Sequence, residues 1–138
     1  RRKVTIKYPE EVREMSPVAR LQHMLMRDEE GKERCTACGL CALSCPAEAI
    51  TMKAAERKAD EKHLYREEKY AEIYEINMLR CIFCGLCEEA CPKEAIYLTK
   101  SKKIVNSGYE REDFIYGKDK LVMPLDLAIK NTQTNTVN

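Results

Sequence analysis

The eight cysteines of this 138-residue chain fall into two runs with the same spacing. The first run comprises Cys35, Cys38, Cys41 and Cys45, followed by Pro46, and the second comprises Cys81, Cys84, Cys87 and Cys91, followed by Pro92. Each run reads C-x2-C-x2-C-x3-C-P, the spacing of thiolates that hold a [4Fe–4S] cluster. Three thiolates on one tight loop can wrap a corner of such a cluster, with backbone N–H groups turned toward the sulfurs. The sequence predicts two [4Fe–4S] clusters that use all eight cysteines.

Other residues of the two runs suit the same purpose. Gly39 and Gly85 lie between the second and third cysteines, where the chain must curl sharply and where a Cβ would crowd a cluster. Pro46 and Pro92 lack an N–H group, so that they can open a first helical turn and steer the chain away from the site.

Three other interpretations of the cysteines are less consistent with the sequence. Cysteine makes up eight of 138 residues, about 6%, whereas secreted disulfide scaffolds contain more than about 8–10%. Structural zinc requires two separated C-x2-C pairs or mixed Cys/His sets, and a third cysteine two residues further on exceeds its tetrahedral requirement. A motif that has lost its metal is difficult to reconcile with two intact copies.

Composition narrows the class of protein. The chain contains no Trp and two Phe, and 34% of its residues are charged, so its apolar core is small and the clusters must help to hold it together. The net charge of +1 with no basic stripe argues against nucleic acid as a partner. No apolar run approaches the roughly 18 residues that a transmembrane helix needs.

Residues 35–52 and 81–98 are identical at ten of eighteen positions, which indicates an internal duplication. In each copy, a short helix is predicted to run into a strand, at Ile50–Met52 and Ile96–Leu98. Ile73–Met78 alternates like a strand and is predicted to form a hairpin with Ile50–Met52. The predicted fold is α+β, a ferredoxin-like duplicated (βαβ)2 unit with one antiparallel sheet, two short helices and extended N- and C-terminal arms.

The predicted organisation has three parts. Residues 1–27 form an N-terminal arm, with a short strand at Val4–Tyr8 and either a helix or an irregular and then extended path at residues 18–27. Residues 28–100 form the two-cluster domain, in which 53–72 is a charged insertion. With six basic and six acidic residues, this insertion is predicted to be a solvated excursion that buries little. Residues 101–138 form a docking tail, with 131–138 predicted to be disordered.

Roles can also be predicted for several residues other than the cysteines. Four tail side chains that a small core cannot accommodate are predicted to anchor a partner: Tyr109, Phe114, Ile115 and Tyr116. His23 and His63 are expected to pack or to form hydrogen bonds, because eight thiolates already satisfy two clusters. The second loop carries Ile82 and Phe83 where the first has Thr36 and Ala37. If the larger pair shields its cluster better, we expect that cluster to have the lower potential.

Beyond the cluster motifs, the flanking stretches resemble those of the ferredoxin-type iron–sulfur subunits of respiratory complex I, the proton-pumping NADH:quinone oxidoreductase. The resemblance covers about residues 1–127 and rests on Arg1-Arg-Lys-Val-Thr-Ile-Lys-Tyr-Pro-Glu-Glu11, Gly31-Lys-Glu-Arg-Cys35, Arg80-Cys-Ile-Phe-Cys-Gly-Leu-Cys-Glu-Glu-Ala-Cys-Pro92, and Tyr109-x-Arg111-x-Asp113-x-x-Tyr116-x-Lys118. In this family, residues 18–27 are expected to follow the irregular and then extended path.

The resemblance implies an electron relay from the flavin-side clusters toward the terminal cluster at the quinone site. The subunit would have no substrate-turnover site, bind neither NADH nor flavin, and meet quinone only through the complex. As in two-cluster ferredoxins, the ligation would be crossed: Cys35, Cys38, Cys41 and Cys91 for cluster 1, and Cys81, Cys84, Cys87 and Cys45 for cluster 2.

The resemblance also implies partners and a location. The partners would be the iron–sulfur and quinone-site subunits of the peripheral arm and the base of the membrane arm. The protein would lie peripherally at the cytoplasmic face of the bacterial inner membrane, or at the matrix side of the mitochondrial inner membrane. In such proteins, an amphipathic segment on the membrane surface precedes the equivalent of Arg1-Arg2-Lys3.

Two alternatives remain open at this point. A free two-cluster ferredoxin would carry the same motifs but needs neither the first 34 residues nor the tail. The equivalent subunit of a membrane-bound hydrogenase is closer, and this chain by itself does not separate it from the complex I subunit.

Overall fold

The structure is a computed structural model that describes residues 4–99 and 107–125. Its elements, in chain order, are β1 (His23–Leu25), α1 (Leu40–Leu43), β2 (Ile50–Glu56), a 3-10 helix (Ala59–His63), β3 (Lys69–Asn77), α2 (Leu86–Glu89), β4 (Ile96–Leu98), a second 3-10 helix (Glu112–Phe114), β5 (Ile115–Tyr116) and α3 (Lys118–Leu121). The chain is a small mixed α+β structure. The prediction of disorder at residues 131–138 lies outside the described residues.

The strands form two antiparallel sheets rather than the single sheet that was predicted. One pairs β1 with β4, so that His23 faces Leu98, and the other has the order β2-β3-β5. The expected hairpin is present, with Ile50 opposite Ile76. Helix α1 contacts β2, α2 contacts β4, and the two helices contact each other. Helices α1 and α2 and their loops connect the two sheets, which have no strand in common among the described residues.

The N-terminal arm agrees only in part with the predictions. Residues 18–27 follow the irregular and then extended path and enter β1 at His23. The strand predicted at Val4–Tyr8 is wrong, because these residues form no strand and Val4 is 84% exposed. Alternation without a partner strand supplies no ladder hydrogen bonds, and a lone strand is unstable in water.

The charged insertion forms regular secondary structure and, apart from Ala71, its residues are exposed or partly exposed, which agrees with the expectation that it buries little. It lengthens the hairpin, since β2 continues to Glu56 past a bulge at Lys53/Ala54, and β3 already begins at Lys69. Ala71 is buried. The rings of Tyr65 and Tyr70 stack with centroids 3.7 Å apart. Ladder hydrogen bonds and this aromatic pair order a segment whose composition suggested only solvated charge.

The tail packs on the domain, which corrects part of the docking prediction. Strand β5 pairs with β3, with Tyr116 opposite Ile76, and the Met123 N–H group donates to the Leu25 carbonyl at 2.9 Å. Tyr116, Leu121 and Met123 are buried. Tyr116 is therefore a core residue and not an anchor for a partner, and Phe114 packs partly buried against the same core. Tyr109 is fully exposed and Ile115 is 41% exposed, and both remain candidates for docking.

The core is thin and includes the cysteine loops. Among the described residues, the largest fully buried side chains are Tyr74, Ile76 and Leu121. Cys41 and Cys87 belong to the same buried cluster, and the other cysteines that pack against it are Cys35, Cys45, Cys81 and Cys91. The core is thus built around the thiols.

Candidate metal centres

The cysteines line two separate cavities. The lining of the first comprises Leu25, Cys35, Thr36, Cys38, Cys41, Met52, Tyr74, Cys91, Lys93, Ala95 and Ile96. The lining of the second comprises His23, Cys45, Ala49, Ile50, Ile76, Cys81, Ile82, Cys84, Gly85 and Cys87. Each cavity receives three cysteines from one run and the fourth cysteine of the other run. All eight predicted site residues are thus brought together in two groups of four.

The two loops repeat each other in backbone conformation as well as in sequence. Gly39 and Gly85 both have a φ of 86°, as expected from their place in the motif. Ala37 and Phe83 occupy the same repeat position and have φ of 47° and 54°, an uncommon conformation for residues with a side chain. A Cβ added at Gly39 would meet no protein atom within 4 Å. Within the chain, backbone conformation rather than crowding explains glycine there.

Backbone N–H groups point at several of the sulfurs. Ala49 donates to Cys45 Sγ at 3.3 Å, and Ala95, its counterpart in the repeat, donates to Cys91 Sγ at 3.2 Å. Phe83 N–H contacts Cys81 Sγ at 3.4 Å. Donors aimed at sulfur stabilise negative charge there and hold the ligands in place.

The thiols occupy a low-polarity environment. Burial raises the pKa of Cys35 to about 11, and the neighbouring thiols of Cys41, Cys91 and Cys38 also raise it. Burial likewise raises the pKa of Cys87 to about 12 and moves the pKa of Cys41 and Cys81 upward. Ligand binding needs the thiolate, so a bound cation must displace these protons.

In each cavity, one buried polar side chain lies close to a cysteine sulfur. The Tyr74 hydroxyl lies 3.3 Å from Cys41 Sγ, and burial keeps the pKa of Tyr74 well above its usual value. His23 Nε2 lies 3.7 Å from Cys81 Sγ, and burial lowers the pKa of His23 to about 4. Within the described ranges, His23 Nδ1 is buried without a hydrogen-bond partner. His63 lines neither cavity, and its Nδ1 lies 2.9 Å from the Asp60 carbonyl oxygen.

Sequence reasoning missed Tyr74. The alternation of strand β3 places its side chain on the buried face, but contact with Cys41 depends on how the hairpin packs on the first loop. His23 was expected to pack or to form a hydrogen bond, and it does both. Its ring packs 5.5 Å from that of Phe83, and its Nε2 contacts Cys81 Sγ. The expected shielding by Ile82 is not seen within the chain, where that side chain is 65% exposed.

The donor set suits an iron–sulfur cluster. Each cavity has four cysteine sulfurs, the ligand type that iron–sulfur clusters use, and otherwise mostly apolar neighbours. In residues 4–99 and 107–125, no three His, Cys, Asp or Glu side chains form a group that could hold a single metal ion. The four sulfurs of each group line one cavity, and this arrangement fits a group of several metal and sulfur atoms.

Comparisons with known proteins decide the family. Residues 34–95 match the 4Fe-4S dicluster domain. The chain is 81% identical over 138 residues to NADH-quinone oxidoreductase subunit I of Flavobacterium psychrophilum, covering 100% of this chain and 75% of that protein. This chain belongs to the NADH-quinone oxidoreductase subunit I family. Subunit I of Cytophaga hutchinsonii is 68% identical over 125 residues, covering 91% of this chain and 70% of that protein.

More distant subunit I sequences match a shorter stretch of the chain. Subunit I of Leptospira biflexa is 50% identical over 78 residues, covering 56% of this chain and 45% of that protein. Among the described residues of this subunit I homologue, no helix is both long and apolar enough to cross a membrane.

Proposed function

We propose that this chain is an electron-relay subunit of the proton-translocating NADH:quinone oxidoreductase, with one [4Fe–4S] cluster in each cavity. The observation that carries the proposal is the division of eight cysteines into two groups of four, each around its own cavity. Membership of the subunit I family supplies the context. The clusters supply one-electron carriers, and the protein supplies ligands, burial and hydrogen bonds.

The proposed ligation is crossed. Cluster 1 is bound by Cys35, Cys38, Cys41 and Cys91, and cluster 2 by Cys81, Cys84, Cys87 and Cys45. The lining of the two cavities supports this grouping, as does the influence of Cys91 on Cys35 and of Cys45 on Cys81, which raises the pKa in each case. Each cluster joins the two halves of the chain, because its fourth ligand comes from the other half.

The proposed architecture is a duplicated ferredoxin-like (βαβ)2 unit. One half runs β1-α1-β2 and the other β3-α2-β4. Equal backbone conformations at equivalent positions support the duplication: Glu48 and Glu94, 46 residues apart, have φ of 47° and 48°. Four residues with side chains adopt positive φ at matched positions, which supports a backbone path common to the two halves.

Electrons would enter from the flavin-side clusters of partner subunits and leave toward the terminal cluster at the quinone site. The chain itself would bind neither NADH nor flavin, and its partners would be the peripheral-arm iron–sulfur subunits, the quinone-site subunits and the base of the membrane arm. We place it at the cytoplasmic face of the bacterial inner membrane. The bacterial subunit I relatives support this placement.

Matched alanine variants test the ligation. Cys38→Ala removes a ligand of cluster 1 and Cys84→Ala a ligand of cluster 2, so their electron paramagnetic resonance spectra serve as references. We expect Cys91→Ala to reproduce the spectrum of Cys38→Ala, and Cys45→Ala that of Cys84→Ala. The crossed assignment is wrong if Cys91→Ala instead reproduces Cys84→Ala.

The relay role is tested in the assembled complex. We expect Cys38→Ala and Cys84→Ala each to abolish NADH-driven quinone reduction. NADH oxidation by an artificial acceptor that takes electrons at the flavin should persist, because the flavin precedes this subunit in the chain. Quinone reduction at the wild-type rate with either cluster missing would contradict the relay.

A further inference from the structure

Tyr74 and His23 occupy equivalent places in the two halves. In β2–β3, Tyr74 pairs with Met52, and in β1–β4, His23 pairs with Leu98. Met52 and Leu98 stand at the same position of the internal repeat, 46 residues apart. The strand registers thus place a polar side chain at the matching point beside each cavity.

Both side chains are buried and each contacts one cysteine sulfur. Tyr74 is 1% exposed, and its hydroxyl lies 3.3 Å from Cys41 Sγ. His23 is 3% exposed, and its Nε2 lies 3.7 Å from Cys81 Sγ. The contacts differ in length by 0.4 Å, and the shorter one belongs to the first cavity.

The direction of the Tyr74 hydrogen bond follows from the ligand chemistry. A metal-bound cysteine sulfur carries no proton and can only accept, so the Tyr74 hydroxyl donates. Burial removes competing water, which makes such a bond electrostatically stronger than at the surface. Reduction adds negative charge to a cluster, and a donor to its ligand sulfur stabilises that charge and raises the potential.

We propose that Tyr74 sets the potential of cluster 1 by donating a hydrogen bond to Cys41 Sγ, and that His23 does the same more weakly for cluster 2 through Cys81. The inference rests on the proposed ligation. It predicts that cluster 1 has the higher potential, so that the electron resides preferentially on the cluster beside Tyr74. Tyr74 acts through a ligand and is a potential-tuning residue, with no contact to any substrate.

The test is a redox titration of the full chain with its clusters, followed by electron paramagnetic resonance. Tyr74→Phe keeps the ring and removes only the hydroxyl. Tyr97→Phe is the matched control, because Tyr97 lies in β4 and lines neither cavity. We expect Tyr74→Phe to lower the midpoint potential of one cluster by about 30–60 mV for one electron. This shift corresponds to an equilibrium constant for reduction that is about three- to tenfold smaller. Tyr97→Phe should leave both midpoints unchanged.

A second variant separates the two clusters. We expect His23→Phe to lower the other midpoint, by less than Tyr74→Phe lowers its own. Unchanged midpoints in Tyr74→Phe with full iron content would overturn the inference, and so would equal shifts of both midpoints or loss of iron from this variant. If the wild-type chain itself holds only one cluster, the proposed ligation fails instead.

Discussion

The ammonium group of Lys118 lies 2.7 Å from the carboxylate of Glu33, which joins the C-terminal segment to the loop that enters the first cysteine run. Both side chains are largely buried, at 19% and 12% exposed. Lys118 Nζ also donates to the Ala71 carbonyl at 2.9 Å and lies 5.0 Å from the centre of the Tyr65 ring. One cation therefore holds three segments that are distant in sequence.

Replacing this cation should destabilise the chain. Lys118→Met leaves the Glu33 carboxylate and the Ala71 carbonyl without their partner, and we expect a loss of about 2 kcal/mol. The measurement is the urea midpoint for loss of cluster absorbance under anaerobic conditions. Lys53→Met, which removes an exposed ion pair with Glu72, is the control and should change the midpoint little. Equal midpoints in the two variants would contradict the role of Lys118.

The buried tail tyrosine should act through stability. Tyr116 is 8% exposed and its strand pairs with β3, so Tyr116→Ala removes a core ring and should cost about 3–4 kcal/mol. We expect low yield and rapid loss of both clusters from the isolated chain, measured by iron content and absorbance over time. If the variant keeps its clusters for as long as the wild type but fails to join the complex, the result would support the prediction that Tyr116 anchors a partner.

The exposed tail side chains should act through assembly. Tyr109→Ala combined with Ile115→Ala removes two exposed apolar groups and leaves the described core intact. Because apolar groups buried at interface centres can contribute about 2 kcal/mol or more each, we expect both clusters to form but the subunit to dissociate from the complex.

The assembly readouts are copurification with the complex and NADH-driven quinone reduction, both of which should fall in this double variant. Oxidation of NADH by an acceptor at the flavin should be maintained. Full quinone reduction by a complex that retains the double variant would show that this part of the tail does not dock.

Removal of iron should unfold the domain. The apolar side chains and thiols around each cavity face a shared space. Few large side chains in the described part of the chain are fully buried, so little remains to hold the two halves together without clusters. Circular dichroism before and after anaerobic chelation is the measurement. A native-like spectrum without iron would mean that the apolar core is sufficient.

The cysteine motifs could be read from sequence because their chemistry is local. Three ligands within seven residues must lie on one loop, and the positive φ at Gly39 and Gly85 follows from that curvature. The hairpin of Ile50 with Ile76 was also predictable, since its two strands alternate clearly on either side of the insertion. The stretches that flank the cysteine motifs identified the family, and the similarity to subunit I relatives confirms it.

What only the tertiary structure decided depends on contacts between segments far apart in sequence. Alternation at Val4–Tyr8 suggested a strand, but no partner strand is present beside it in the described part of the chain. Balanced charge at 53–72 suggested a solvated segment, and most of it is exposed, but the sequence did not show that Lys118, nearly fifty residues away from Ala71, contacts it. Tyr116 was predicted to lie on an apolar docking surface, but the pairing of β5 with β3 places it in the core. A side chain's type and spacing determine which chemistry it can perform, whereas its burial and hydrogen-bond partners, such as Cys41 for Tyr74, are determined by packing.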